Sequence, residues 1–158
     1  MSNDSQLVKI EIRGEDNQVE TVWAFDLGNH LYKLDNTPWF AYRISTGDII
    51  EAEREEADGF PVFKRVVEKS GYRTVRIVAD QDFDDEFFEQ INSLGCSFEG
   101  ATRRYVAIDV PPPIDLDAIA NFLNEKNIRW EHADPTYEDL HGPGAESPPE
   151  SPIQFRDR

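Results

Sequence analysis

Acidic side chains are concentrated in the segment ADQDFDDEFFEQI, where Asp80, Asp82 and Asp84 have the spacing of the first three ligands of a calcium-binding loop. The sharp turn of such a loop requires glycine at its sixth position, and a bidentate glutamate closes the loop at its twelfth. The sequence has Asp85 and Ile91 at these two positions. We therefore predict no metal site in this segment.

The same segment has the pattern of a helix. Apolar residues recur at helical spacing over Phe83 to Leu94, and Gly95 can end a helix in the left-handed conformation. Asp82 is predicted to cap the helix by accepting hydrogen bonds from first-turn amides. Capping explains only one or two of the six acids of this segment, so we assign the whole cluster to partner binding: Asp80, Asp82, Asp84, Asp85, Glu86 and Glu89.

A second acidic cluster follows a Gly-Asp turn. On a strand Glu51, Glu53 and Glu55 would share one face, and Glu56 comes directly after them. Three like charges in a row are typical of a solvent-facing edge that resists the addition of another strand. They would also form an acidic ridge, and we assign these four residues to partner binding as well.

The net charge limits the class of partner. The chain has 32 acidic and 16 basic residues, a formal charge of −16. Such a charge repels phosphate backbones and anionic lipid headgroups, which argues against nucleic acid and membranes as direct ligands. We expect a basic protein partner instead.

Side chains that could perform catalysis are not grouped in the sequence. Cys96 is the single cysteine, and we predict that it is a buried structural thiol. The histidines, His30, His132 and His141, are far apart in the sequence, and we predict that they lie on the surface. No serine lies in a nucleophile elbow, and no glycine-rich loop precedes a helix. We predict no catalytic residue, no metal and no cofactor.

The elements that position these residues fall into two patterns. Residues 1–70 contain five or six short strands, including a hairpin around Gly28-Asn29 and a strand from Trp39 to Ile44, which predicts a small antiparallel barrel-like half. Residues 71–135 follow the order β-α-β-β-α-β, with Asp115 capping the second helix, which predicts a ferredoxin-like half. Residues 136–158 are rich in Pro, Ser and Glu and are predicted to form a flexible tail. The predicted fold class is α+β.

Three ordered motifs carry a resemblance to a known family: LDNTPWFA at residues 34–41, GDIIEA at 47–52 and VVEKSGY at 66–72. Together they resemble a bacterial family known as domain of unknown function 4265. Trp39 and Tyr72 stand where that family is expected to have Phe and often His. The resemblance implies a bacterial, intracellular protein and brings no activity with it.

The polar residues of these motifs allow two interpretations. Asp35, Asn36, Asp48 and Ser70 are typical turn residues, and they could also gather as a polar pocket at one end of the barrel. The turn interpretation is favoured. The sequence does not show whether these side chains converge.

The combined features favour a non-enzymatic acidic binding protein. In a small bacterial protein this suits an immunity protein or antitoxin that neutralises a basic toxin, such as a nuclease, by direct binding. A small-molecule-sensing domain and a small enzyme with a polar pocket at the barrel end are the alternatives. The N-terminus has no basic region followed by an apolar stretch, and no long apolar run is present, so we expect a cytoplasmic protein.

Overall fold

The computed structural model describes residues 6–14 and 17–144. The chain divides into two compact units, Met1–Tyr72 and Arg73–Arg158. The fold is α+β, its sheets are mostly antiparallel, and it contains three short helices in the described residues. This agrees with the predicted class.

Five strands form the sheet of the N-terminal unit. They are β1 (Leu7–Arg13), β2 (Val19–Gly28), β3 (Leu31–Leu34), β4 (Ile49–Arg54) and β5 (Pro61–Glu68). Each strand pairs antiparallel with the next along the chain. A parallel bridge between Glu11 and Val62 joins β5 to β1, so the five strands close into a ring.

Alternation of apolar and polar residues determines which side of this sheet is buried. Ile10 and Ile12 of β1 are buried together with Val22 and Ala24 of β2 and with Ile50 of β4, in one apolar cluster. The predicted hairpin is confirmed, since β2 and β3 pair across a turn in which Asn29 and His30 adopt positive φ.

The predicted strand from Trp39 to Ile44 is wrong. This segment belongs to a connection of residues 35–48 between β3 and β4 that has no regular strand or helix. Its apolar and aromatic residues suggested β structure, but its backbone amides bind a side chain of β2, as described below.

The C-terminal unit follows the predicted order of elements. Its strands and helices are β6 (Arg73–Val78), α1 (Asp85–Ser93), β7 (Ser97–Thr102), β8 (Tyr105–Val110), α2 (Leu116–Glu125) and β9 (Arg129–Asp134). The sheet has the order β7-β8-β6-β9, and all of its pairings are antiparallel. Strand β7 therefore lies at one end of the sheet.

Both helices pack against the same apolar cluster of this sheet. The predicted apolar stripe of the first helix is buried at Phe83, Phe87 and Ile91, while Leu94 is half-buried. The same cluster contains these sheet and α2 residues: Val75, Ile77, Val106, Ile108, Ile119 and Leu123. Gly95 follows α1 with φ of 92°, as predicted for a residue that ends a helix.

A third helix, α3 (Tyr137–His141), lies where the sequence predicted a flexible tail. Thr136 and Asp139 form a reciprocal capping box at its start, which satisfies two backbone N–H groups. Residues 145–158, the rest of that predicted tail, lie outside the described residues. Among the described helices, none is long and apolar enough to span a membrane.

His132 on β9 is half-buried, in contrast to the predicted surface position. Its ring lies edge-on to Trp130 with 4.8 Å between centroids, and its Nδ1 has no hydrogen-bond partner among the described residues. Burial lowers the pKa of His132, and the nearby His141 lowers it further.

The lowered pKa of His132 predicts a loss of stability in acid. Below the ordinary pKa of 6.5 the unfolded chain takes up a proton that the folded chain resists, so the free energy of unfolding should fall as the pH decreases through and below this value. A His132→Gln variant should lose less stability over the same interval. Urea denaturation of both proteins above and below pH 6.5 measures the difference, and equal losses would contradict the prediction.

Candidate functional site

The Gly-Asp and Ser-Gly motifs of the sequence meet around Asp48, whose side chain is fully buried. Its carboxylate accepts hydrogen bonds from the backbone N–H of Ser45 at 2.9 Å, from the backbone N–H of Ser70 at 2.8 Å and from Nζ of Lys69 at 2.6 Å. The Lys69 side chain is 44% exposed. A buried carboxylate with three donors, one of them a cation, is a satisfied group.

Ser70 adds further hydrogen bonds to those around Asp48, and we call Asp48, Lys69 and Ser70 together the anchor. Its hydroxyl donates to the carbonyl oxygen of Thr46 at 2.7 Å and accepts from the backbone N–H of Tyr72 at 3.1 Å. Gly47 has φ of 81°, and a Cβ there would lie 3.0 Å from Cβ of Ser70. Glycine is therefore required by both the backbone conformation and the space.

Asp35 and Asn36 do not share the hydrogen bonds described for Asp48 and Ser70. Oδ1 of Asn36 accepts from the backbone N–H of Trp23 at 2.7 Å, and Asp35 is exposed. Of the four residues of the predicted pocket, the structure thus shows direct contact between Asp48 and Ser70. Apart from the contact of Asp48 with Nζ of Lys69, their hydrogen bonds go to backbone groups, as the turn interpretation expects.

Glu20 on β2 is a site residue that sequence reasoning missed. Its carboxylate accepts from three consecutive backbone N–H groups, those of Trp39 at 2.8 Å and of Phe40 and Ala41 at 3.0 Å each. Thr37 holds the same connection further along, since its Oγ1 accepts from the backbone N–H of Thr46 at 2.9 Å. No local pattern around Glu20 indicates this role, because its partners lie about twenty residues away.

A row of buried polar side chains on the C-terminal sheet was also missed. Arg76 is fully buried, with its Nη1 at 3.9 Å from Oε2 of Glu131 on the paired strand. Thr74 lies opposite Asp109 on the neighbouring strand, and both are buried. Thr74 and Arg76 alternate along β6 with Val75 of the apolar cluster, so strand periodicity could have suggested that they share the other face of the sheet.

Most of the acids predicted around the first helix are engaged within the C-terminal unit. Asp80 pairs with Arg129 at 2.9 Å, Asp82 with Arg104 at 3.1 Å and Asp85 with Arg103 at 2.8 Å. These are exposed ion pairs, each of which contributes no more than about 1 kcal/mol. These three acids thus have separate partners, and the described residues contain no group of three His, Cys, Asp or Glu able to hold a metal.

The cap of α1 is Asp84, and the prediction that Asp82 caps the helix is wrong. Oδ1 of Asp84 accepts from the backbone N–H of Phe87 at 2.8 Å. The helix begins at Asp85, two residues later than predicted. Phe83 lies outside the helix because its backbone N–H donates to the carbonyl oxygen of Arg103.

Removal of this cap should have a measurable cost. Asp84→Ala is expected to lower the free energy of unfolding by about 1 kcal/mol, because it leaves a first-turn N–H without its acceptor. Asp82→Ala removes only an exposed ion pair and should cost less than about 0.5 kcal/mol. Urea denaturation of the two variants compares them, and an Asp82→Ala loss as large as that of Asp84→Ala would refute the assignment.

The second acidic cluster also contains both acids with a cationic partner and acids without one. Glu51 pairs with Arg65 at 2.7 Å, while Glu55 lies within 3.0 Å of both Arg13 and Lys64, whose hydrogen bonds lower the pKa of Glu55. Within the described part of the chain, five of the ten predicted acids have no cationic partner: Asp84, which caps α1, and Glu53, Glu56, Glu86 and Glu89.

Glu89 borders an open groove between α1 and β7, which we call the α1–β7 groove. It has a volume of about 540 Å³, and Phe88 and Phe98 form its apolar part with their rings stacked at 4.5 Å between centroids. Asp85 and Glu89 line its helix side. Arg103 lies over the ring of Phe88 at 5.0 Å and occupies one part of the lining.

Cys96 is buried, and burial raises the pKa of its thiol to about 11. At neutral pH such a thiol is protonated and is a poor nucleophile. This agrees with the predicted structural role.

Comparisons with known proteins give a family and a fold. The family model described as Domain of unknown function (DUF4265) matches residues 20–132. The chain is similar to the structure described as "Novel crystal structure of a hypothetical protein from Neisseria gonorrhoeae", with a TM-score of 0.67 and 20% identity over 85% of this chain and 99% of that chain. No curated protein matches the sequence. The structural likeness concerns the fold alone.

Proposed function

We propose a function from the premise that the chain belongs to the DUF4265 family, which its motifs resemble: it is a non-enzymatic acidic protein that binds a basic protein partner. The contact surface is the acidic face of α1, defined as Asp85, Glu86 and Glu89. The observation that carries this proposal is that Glu86 and Glu89 are exposed and lack a cationic partner among the described residues, and that Glu89 lines the open α1–β7 groove.

Two physical effects favour such a surface for a basic partner. The chain has a formal charge of −16, which attracts a cationic protein over a distance and speeds its encounter. At short range Glu86 and Glu89 lie three residues apart on the helix, so both carboxylates are on neighbouring positions of one exposed face. A Lys or Arg of the partner would relieve their mutual repulsion.

The motif residues support this location of the contact surface, because their side chains are bound to backbone groups of the N-terminal unit. Asp48, Ser70 and Glu20 bind backbone groups that hold the connection between β3 and β4. We interpret the family motifs as the anchor of the N-terminal unit and the acidic face of α1 as the contact surface of the C-terminal unit.

We propose further that the partner is a toxin and that the chain acts in the cytoplasm as an immunity protein or antitoxin. Toxins that cleave nucleic acids have basic active sites because they bind phosphate, and an acidic protein can cover such a site.

We also propose a fold class for each unit. We class the five-stranded ring of the N-terminal unit as barrel-like. We class the C-terminal unit as ferredoxin-like, on the basis of its βαββαβ order and antiparallel sheet.

Co-expression with the product of the neighbouring gene tests the toxin proposal. We expect that product alone to stop growth, and we expect the chain to restore growth and to form a complex with it that weakens as salt is raised. A complex whose affinity is the same at low and high salt would contradict an acidic contact surface. The absence of a complex, or a neighbouring product without toxicity, would overturn the assignment as an antitoxin.

A further inference from the structure

Strand β7 presents an edge of the C-terminal sheet. It comes first in the order β7-β8-β6-β9, and within the described residues it pairs with β8 alone. The backbone N–H and C=O groups on the other side of such a strand can pair with an added strand. Four of the six residues of β7 are exposed and the other two are half-buried.

The α1–β7 groove runs beside this edge and can receive the side chains of an added strand. Phe88 and Phe98 provide a rigid apolar surface, since their stacked rings are held by the apolar cluster below them. Gly100 and Thr102 line the strand side. At Gly100 a Cβ would lie 2.7 Å from the carbonyl oxygen of Thr102, so this position has no room for a side chain.

The charge around the groove determines the kind of occupant. Arg103 neutralises Asp85, but Glu89 lines the groove without a cation among the described residues, and Glu86 is one helical turn away. An extended segment places alternate side chains on one side, so a basic residue at every second position can reach this acidic face. A second copy of the chain would bring the same acids and a charge of −16 to the contact, which opposes self-pairing.

We infer that an extended basic segment of the partner adds to the edge of β7 and places basic and apolar side chains in the α1–β7 groove. This inference rests on the proposed binding function and specifies its geometry. Main-chain hydrogen bonds to β7 provide affinity, while Glu89 and the two phenylalanines select the side chains. The groove floor is already formed, so little reorganisation is needed on binding.

A displayed library of short random peptides, selected on the full chain, provides the probe. We expect enrichment of peptides in which Lys or Arg alternates with apolar residues. Amide NMR of the labelled chain with such a peptide should show changes concentrated in β7 and α1. In a Glu89→Lys variant the affinity should fall at least about tenfold, whereas Glu125→Lys, the same charge reversal on α2, should leave it within about twofold.

Methylation of the peptide's backbone nitrogens separates strand addition from charge attraction. Methyl groups on alternate residues in one register should weaken binding at least about tenfold, because each removes a ladder hydrogen bond, while the other register should be tolerated. Equal affinities in both registers, with Glu89→Lys still harmful, would overturn strand addition and leave the acidic contact surface standing.

Two other outcomes would also overturn the inference. Selected peptides without basic residues, and unaffected by Glu89→Lys, would contradict both the basic occupant of the groove and the proposed function. A dimer of the chain that is disrupted by peptide binding at β7 would identify a second copy as the natural occupant of the edge.

Discussion

Replacement of Asp48 by alanine is expected to lower the free energy of unfolding by about 3 kcal/mol. The buried carboxylate accepts from the backbone N–H groups of Ser45 and Ser70 and from Nζ of Lys69. Alanine would leave both N–H groups without an acceptor, and it would open a cavity at the position of the deleted carboxylate. Urea denaturation followed by tryptophan fluorescence measures the loss.

Asp35→Ala is the matched control, because Asp35 lies in the same family motifs but has an exposed side chain. It should change the free energy of unfolding by less than about 0.5 kcal/mol. If the two variants lose the same amount, Asp48 is not the anchor described above.

Replacement of Glu20 by alanine is expected to lower the free energy of unfolding by about 2 kcal/mol. Three backbone N–H groups, those of Trp39, Phe40 and Ala41, would lose a charged acceptor. Hydrogen bonds to a charged group are stronger than neutral ones, and these amides are half-buried, so water replaces the carboxylate only in part. Hydrogen exchange at residues 39–41 should accelerate along with the loss of stability.

Glu20→Gln removes the charge and replaces one of the two acceptor oxygens with an NH2 group, which cannot accept a hydrogen bond. The amide oxygen can still accept from the backbone N–H groups of Phe40 and Ala41, while that of Trp39 loses its acceptor, so about half of the loss is expected. A glutamine variant as unstable as the alanine variant would mean that these two neutral hydrogen bonds do not hold the connection. Unchanged exchange at residues 39–41 in Glu20→Ala would show that the three hydrogen bonds do not restrain it.

Elements defined by nearby residues could be predicted from the sequence. The turn at Gly28-Asn29 needs only residues that tolerate positive φ, and the stripe of Phe83, Phe87 and Ile91 needs only helical periodicity. Both are found as predicted. The order of strands and helices after Arg73 was equally readable, because each element carries its own apolar pattern.

Features that depend on distant partners could not be predicted. The segment from Trp39 to Ile44 has strand-like composition, but Glu20 takes up its first amides from another strand. The acids before α1 looked unpaired because Arg129, the partner of Asp80, lies 49 residues away. Likewise, Asp48 contacts Ser70 because β5 pairs antiparallel with β4 and brings the two residues together. The spacing of the motifs in the sequence does not indicate this pairing.

The central claim is that the acidic face of α1, rather than net charge alone, binds the basic partner. Its most direct test is the affinity for the neighbouring gene's product of two double variants, Glu86→Lys with Glu89→Lys and Glu53→Lys with Glu56→Lys. Both change the net charge equally, and all four acids lack a cationic partner within the described residues. We predict at least about tenfold weaker binding for the α1 variant and a change within about twofold for the other. Equal weakening in both variants, or none in either, would contradict the claim.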